Sequence, residues 1–169
     1  ELANRRHFDE TLSHEFKRAL RSRESLSLLM VDIDHFKEIN DSEGHPEGEQ
    51  DLRRISRALK ACASRSSDLV AGYGGEEFAI VMPGTDAEAA AHIAHRMLST
   101  VVGLALPSPS VRGVVTISIG LASTEGAWAT EGAQLVAAAD AALYKAKQSG
   151  RNQVVQSDDT LRAMAGHPA

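Results

Sequence analysis

The sequence is poor in several things that would have narrowed its function. It holds one cysteine, Cys62, so no internal disulfide can staple it. No apolar run approaches the roughly 18 residues that cross a bilayer, and the polar opening Glu1 to Arg6 has none of the apolar core of a secretion signal. There is no excess of positive charge: 18 Lys and Arg stand against 23 Asp and Glu, a net charge of −5. That balance gives no electrostatic footprint for a nucleic acid polymer or an anionic membrane, so any phosphate contact must come from locally placed cations. His92 and His95 do not form the HExxH pattern of a zinc enzyme. The expected setting is a reducing cytoplasm, without direct membrane insertion by this part of what could be a membrane-tethered protein.

What is present suits one globular domain, since 169 residues at 43% hydrophobic content can bury a core unaided. Phe8, Leu12, Phe16, Ala19 and Leu20 recur at helical spacing between Arg5 and Arg23. Leu26 to Ile33 is a short apolar run that predicts a central strand, with Asp32 and Asp34 at its carboxyl end. Leu52, Ile55, Leu59 and Cys62 predict a helix opened by Pro46. Leu69 to Ala71 and Phe78 to Met82 predict a hairpin across Gly72 to Glu77, with both glutamates at its tip. A helix from Asp86 to about Val102, a loop around Pro107, Pro109 and Gly113, and a strand from Val114 to Ala122 follow. A helix through Leu135 to Ala146 stops at Gly150, and Gln153 to Val155 predict an edge strand. The order predicts an α/β (α+β) layer with mixed or antiparallel pairing. The domain is expected over residues 1–156, with 157–169 a weakly ordered tail.

Asp32 ends an apolar strand, where an ionised carboxylate needs a cation or donors. A metal ion is one answer; a strand simply emerging into solvent is another. Glu76 and Glu77 follow two glycines, which let backbone approach a ligand, and hard oxygen donors suit Mg²⁺. An ordinary solvated turn would have the same glycines.

Gly74-Gly75-Glu76-Glu77-Phe78 resembles the signature of the GGDEF family of diguanylate cyclases, in its GGEEF form. The match extends over roughly Leu2 to Val155 through Asn4-Arg5-Arg6, Val31-Asp32-Ile33-Asp34-His35-Phe36-Lys37, Asn40-Asp41, Gly44-His45, Ser118-Ile119-Gly120, Ala139-Asp140, Ala142-Leu143-Tyr144, Ala146-Lys147 and Gly150-Arg151-Asn152. The resemblance implies a ferredoxin-like sheet related to nucleotidyl cyclases and polymerase palms. It also implies condensation of two GTP into cyclic di-GMP and two pyrophosphates across a homodimer, with Mg²⁺ or Mn²⁺, two per active half-site. An upstream sensor or receiver domain is implied in the full-length protein.

By the same resemblance Asp32 and Glu76 hold metal through side chains and Ile33 through its carbonyl, Glu76 helps activate the attacking hydroxyl, and Glu77 supports it. Asn40 and Glu49 face guanine; Phe36, Lys37, Gly74 and Gly75 contact substrate; Lys147 and Arg151 meet its phosphates. A helix C-terminus also attracts cations without any ligand. Arg65-Ser66-Ser67-Asp68 matches the family's RxxD inhibitory product site, with Arg96 as a further contact, although an Arg and Asp so spaced can also be a plain surface pair.

Two departures stand out. Glu49 replaces the usual aspartate with one more methylene, and Gly72 stands where many relatives carry arginine. They leave two alternatives beside the cyclase: a weak or inactive domain that binds cyclic di-GMP, and a cyclase with relaxed nucleotide selectivity.

Overall fold

The computed structural model describes residues 2–109, 113–124 and 131–157. The expected tail therefore lies, apart from Ser157, outside the described residues. Among these the chain builds helices α1 (Arg5–Ser22), α2 (Phe36–Glu43), α3 (His45–Cys62), α4 (Ala87–Gly103) and α5 (Gly132–Gln148). The strands are β1 (Leu26–Ile33), β2 (Leu69–Gly74), β3 (Glu77–Pro83), β4 (Pro107–Ser108), β5 (Gly113–Val114), β6 (Ile117–Ser123) and β7 (Val154–Gln156). The main sheet has the order β2-β3-β1-β6-β7. All its pairings are antiparallel except β6 with β7, so the expected mixed α/β sheet is present.

β1 is central, and all eight of its residues are buried. Alternation sends Leu29, Val31 and Ile33 to one face, where α2, α3 and α4 supply Ile39, Ile55, Leu59, Ala94 and Met97. Leu28 and Met30 point the other way, against Phe8, Leu12 and Phe16 of α1 and Leu135, Ala139 and Leu143 of α5. Asp32 continues the second series. α1 starts where the Asn4 side chain accepts from the His7 N–H at 2.9 Å. Leu20, expected in its apolar stripe, is instead 49% exposed.

One helix enters that the sequence did not predict, and two local expectations change. α2 has only eight residues, too few for a helical period to declare itself, and it begins after His35 in the left-handed conformation (φ 58°). The strand expected from Val114 starts at Ile117, because Val115 donates to the Leu106 carbonyl at 2.7 Å instead of to β1. The expected loop before it contains the small β4–β5 ribbon.

Gly120 sets how closely α5 lies on the sheet. A Cβ there would come within 2.1 Å of the Ala139 carbonyl oxygen and 2.3 Å of the Leu143 nitrogen, both main-chain atoms that side-chain rotation cannot move. Gly120→Ala is expected to lower unfolding free energy by about 3 kcal/mol, read as a shift in urea midpoint. An unchanged midpoint would mean that α5 can lift off without loss.

Candidate active site

Asp32 is 6% exposed at the end of β1, opposite Glu77 of β3 and Ser118 of β6. Its Oδ2 is ion-paired with Lys147 Nζ of α5. Its Oδ1 is buried without any hydrogen-bond partner. Burial is the main reason its carboxyl is held above the ordinary range; Lys147 opposes this, while Glu76 and Asp34 add to it.

The hairpin is tighter than expected. β2 runs on to Gly74 and β3 starts at Glu77, which leaves Gly75 and Glu76 as the turn. Gly75 takes φ 52°, the left-handed region that glycine enters freely. Glu76 is thus the tip residue, and its carbonyl accepts from the Ile33 N–H at 3.3 Å. Glu77 belongs to the strand, and burial followed by repulsion from Asp32 raises its carboxyl too. Tyr73 fastens the hairpin to α1: its ring meets Phe8 edge-on at 5.4 Å, and the Arg5 guanidinium lies 3.8 Å from the ring centroid.

Lys147 lies in the last turn of α5. Arg151 follows Gly150 in a turn where both residues have positive φ (64° and 113°). Asn40 is on α2 and Glu49 on α3. Gly48, to which the sequence assigns no role of its own, makes their approach possible: a Cβ there would sit 1.9 Å from Asn40 Oδ1. A glycine inside a helix with no capping task was the available signal. Glu49 points outward, 69% exposed, and pairs with Arg53 at 3.7 Å. Phe36 is buried in the core beneath this helix pair and Lys37 is exposed. A cavity of about 470 Å³ opens beside the hairpin, lined by Leu52, Arg53, Arg57, Gly72, Gly75 and Phe78. His35 and His45 join no cluster beyond a 3.9 Å approach of His35 to Glu38.

Arg65 and Asp68 form a separate group at the far end of β2, a strand of six residues that spans about 17–20 Å. They are not a simple ion pair: Asp68 Oδ2 accepts from the Arg65 main-chain N–H at 3.1 Å, and the Arg65 guanidinium donates to Thr85 Oγ1 at 2.9 Å. Asp68 Oδ1 is buried without a partner. Arg96 donates to the Cys62 carbonyl at 3.0 Å, which places it beside the same loop.

A divalent cation fits the first group on the chemistry of its donors. The unpartnered Asp32 oxygen is a hard ligand beside Glu76 and the Ile33–Asp34 backbone. Among the described residues no cluster of three or more ligating side chains occurs. Mg²⁺ commonly takes one or two carboxylates and completes its shell with water and substrate phosphate.

The model of the family described as diguanylate cyclase, GGDEF domain, matches residues 1–153. Diguanylate cyclase A of Treponema denticola is 41% identical over 82% of this chain and 37% of its own length. Response regulator PleD of Caulobacter vibrioides is 42% identical over 91% and 34%. Among solved structures, the GGDEF domain of DgcB from Caulobacter crescentus in complex with c-di-GMP superposes with a TM-score of 0.85 at 34% identity, over 93% of this chain and 89% of that one. The active GGEEF domain of a diguanylate cyclase from Vibrio cholerae gives 0.85 at 32% identity, over 94% and 99%. The fold, five helices on a five-stranded mixed sheet among the described residues, is that of the solved GGDEF domains; this chain belongs to the GGDEF diguanylate cyclase family. It spans about a third of the length of the curated relatives it matches.

The raised Asp32 carboxyl binds its proton more tightly folded than unfolded. It therefore costs no stability well below 3.8, its ordinary value, and costs progressively more as pH rises through the raised value. In metal-free protein the stability of Asp32→Asn relative to wild type is expected to increase with pH across that window and then level off. Urea midpoints at a series of pH values measure it; a difference that does not change with pH would contradict burial as the dominant cause.

Proposed function

We propose that this domain, residues 1–156, condenses two GTP molecules into cyclic di-GMP and two pyrophosphates, each protomer of a homodimer presenting one nucleotide. The observation that carries this reading is the buried, unpartnered oxygen of Asp32 next to Glu76 and a displaceable cation, Lys147. Asp32 and Glu76, with the Ile33 carbonyl, would hold Mg²⁺ or Mn²⁺, two in each half-site. Such cations neutralise charge on the phosphates and on the oxygens that attack and leave.

The chain's own groups do the rest. The Asn40 amide, offering a donor and an acceptor, reads the guanine edge, with Gly48 giving it room and Glu49 turning inward from Arg53 to join it. Phe36 supports this pocket from the core, while Lys37, Gly74 and Gly75 flank the phosphates. Lys147 leaves Asp32 for the polyphosphate, where Arg151 joins it with a charge-assisted fork. Glu76 accepts the proton of the attacking 3′-hydroxyl, with Glu77 supporting it. The 3′-oxygen of one GTP bonds to the α-phosphorus of the other, the bond to the β-phosphate bridge breaks, and pyrophosphate departs; the second half-reaction closes the ring.

Arg65, Asp68 and Arg96 would bind the product and lower turnover. The unpartnered Asp68 oxygen, with Arg65 bonded to Thr85 and Arg96 bonded to the Cys62 carbonyl of the same loop, supports a ligand there. The relatives' greater length supports an upstream input domain in the whole protein. No helix among the described residues is long and apolar enough to cross a membrane.

The test strips bound nucleotide, concentrates the protein with Mg²⁺ and GTP, and detects cyclic di-GMP by mass. Wild type is expected to form it, and Glu76→Gln to form at least about 100-fold less. Dimers with an empty Arg65 site that make none would favour the product-binding reading. Mixed dinucleotides from ATP plus GTP would favour relaxed selectivity.

A further inference from the structure

Asp34 is the second carboxylate at the end of β1, and it is more completely enclosed than Asp32, at 4% exposure. Its surroundings are also different. No ion pair reaches it among the described residues. Oδ1 accepts from Ser118 Oγ at 2.7 Å; Oδ2 accepts from Thr116 Oγ1 at 2.6 Å and from the main-chain N–H of Asn152 at 3.1 Å. Every neighbour that compensates it is a neutral donor. A carboxylate so enclosed is retained for the hydrogen bonds it accepts.

The third of those bonds leads to the substrate side of the domain. Asn152 belongs to the turn that joins α5 to β7, where Gly150, Arg151 and Asn152 take φ 113°, 64° and 48°. Two successive non-glycine residues in the left-handed region are unfavourable unless the surroundings hold them. Arg151 is held by its N–H to the Ala146 carbonyl at 2.9 Å, and Gln153 Nε2 donates to the carbonyls of Ser149 and Arg151. Among the described residues, the bond from Asn152 to Asp34 is the one that ties this turn to the end of β1. The backbone conformation of Arg151 sets the direction in which its side chain leaves the turn. The end of α5 is thus tethered to β1 twice, by Lys147 on Asp32 and by the Asn152 N–H on Asp34.

We propose that Asp34 is a positioning residue for the nucleotide phosphates. It keeps the Arg151–Asn152 turn seated against β1, with Arg151 aimed into the cleft, when Lys147 leaves Asp32. This rests on the reading of Arg151 as a polyphosphate contact. The role depends on acceptor geometry and not on charge. An asparagine can still accept from Asn152 and Thr116 through its oxygen, and its NH₂ can donate to the Ser118 hydroxyl, which is free to rotate.

The experiment measures affinity for a non-hydrolysable GTP analogue with Mg²⁺. Asp34→Ala is expected to weaken binding about tenfold, Asp34→Asn to stay within about threefold of wild type, and Asp34→Ala to add almost nothing to Arg151→Ala. If Asp34→Ala does not melt cooperatively, the double variant Thr116→Val, Ser118→Ala replaces it, with a loss of about threefold expected that again disappears beside Arg151→Ala. Equal losses in the wild-type and Arg151→Ala backgrounds would overturn the proposal by making Asp34 a purely structural group, and so would an Asp34→Asn variant as weak as Asp34→Ala. If Arg151→Ala alone leaves affinity unchanged, the assignment of Arg151 to the phosphates fails, and the proposal that depends on it falls with it.

Discussion

A carboxylate at the buried end of the central strand has to be compensated, and much of the surrounding architecture answers that requirement. Asp32 is two residues past Met30 in the series that faces α1 and α5, so its charge faces a helix layer and not open solvent. Lys147 answers one of its oxygens and leaves the other without a partner. An arrangement of this kind is expensive if nothing else is to bind there, because a buried acceptor without a donor has lost water and gained nothing. It becomes reasonable when a cation completes it. Glu76 and Glu77 come to the same place because β3 pairs directly with β1, and repulsion among these carboxylates has the same remedy.

Small residues make the arrangement possible. Gly120 admits the α5 backbone to the sheet, and Ala138, Ala139, Ala142 and Ala146 make up most of the buried side of that helix, beside Leu135 and Leu143. A closely docked α5 delivers Lys147 to Asp32 and carries the Gly150–Asn152 turn to Asp34. Gly48 has the same function between α2 and α3, where it leaves space for the Asn40 amide. The contacts of Gly120 join the sheet to α5 through main-chain atoms, so the α5 side of the site is as rigid as the packing behind it.

The parts of the fold readable from sequence were α1, β1, α3, α4, α5 and the strands of the hairpin, which have a long or strongly apolar pattern, and the short edge strand β7, expected over Gln153 to Val155 and found over Val154–Gln156. The eight residues of α2 were not, since a left-handed His35 starts it and tertiary contacts hold it. The start of β6 was missed because Val114 and Val115 look like strand residues but pair with the β4 region. For the site, a glycine-rich turn with glutamates was visible, while its reduction to Gly75 and Glu76 depended on the bulge between Gly72 and Gly74. The Lys147–Asp32 pair joins residues more than a hundred positions apart, and no local pattern encodes it. The sequence assigns Asp34 no role; its three neutral donors set it apart from Asp32, which has an ion pair and an unpartnered oxygen. The outward turn of Glu49 toward Arg53 did have a local signal, the i,i+4 spacing of an acid and a base on one helix.

The central claim is that the unpartnered Asp32 oxygen is a seat for a divalent cation that arrives with the nucleotide. Paramagnetic resonance of Mn²⁺ tests it most directly, with the cation titrated into the protein in the presence of a non-hydrolysable GTP analogue. The account predicts protein-dependent loss of the free-ion signal in wild type and at least about tenfold weaker uptake by Asp32→Asn. Equal uptake by the two proteins would contradict it, and the buried oxygen would then need another explanation.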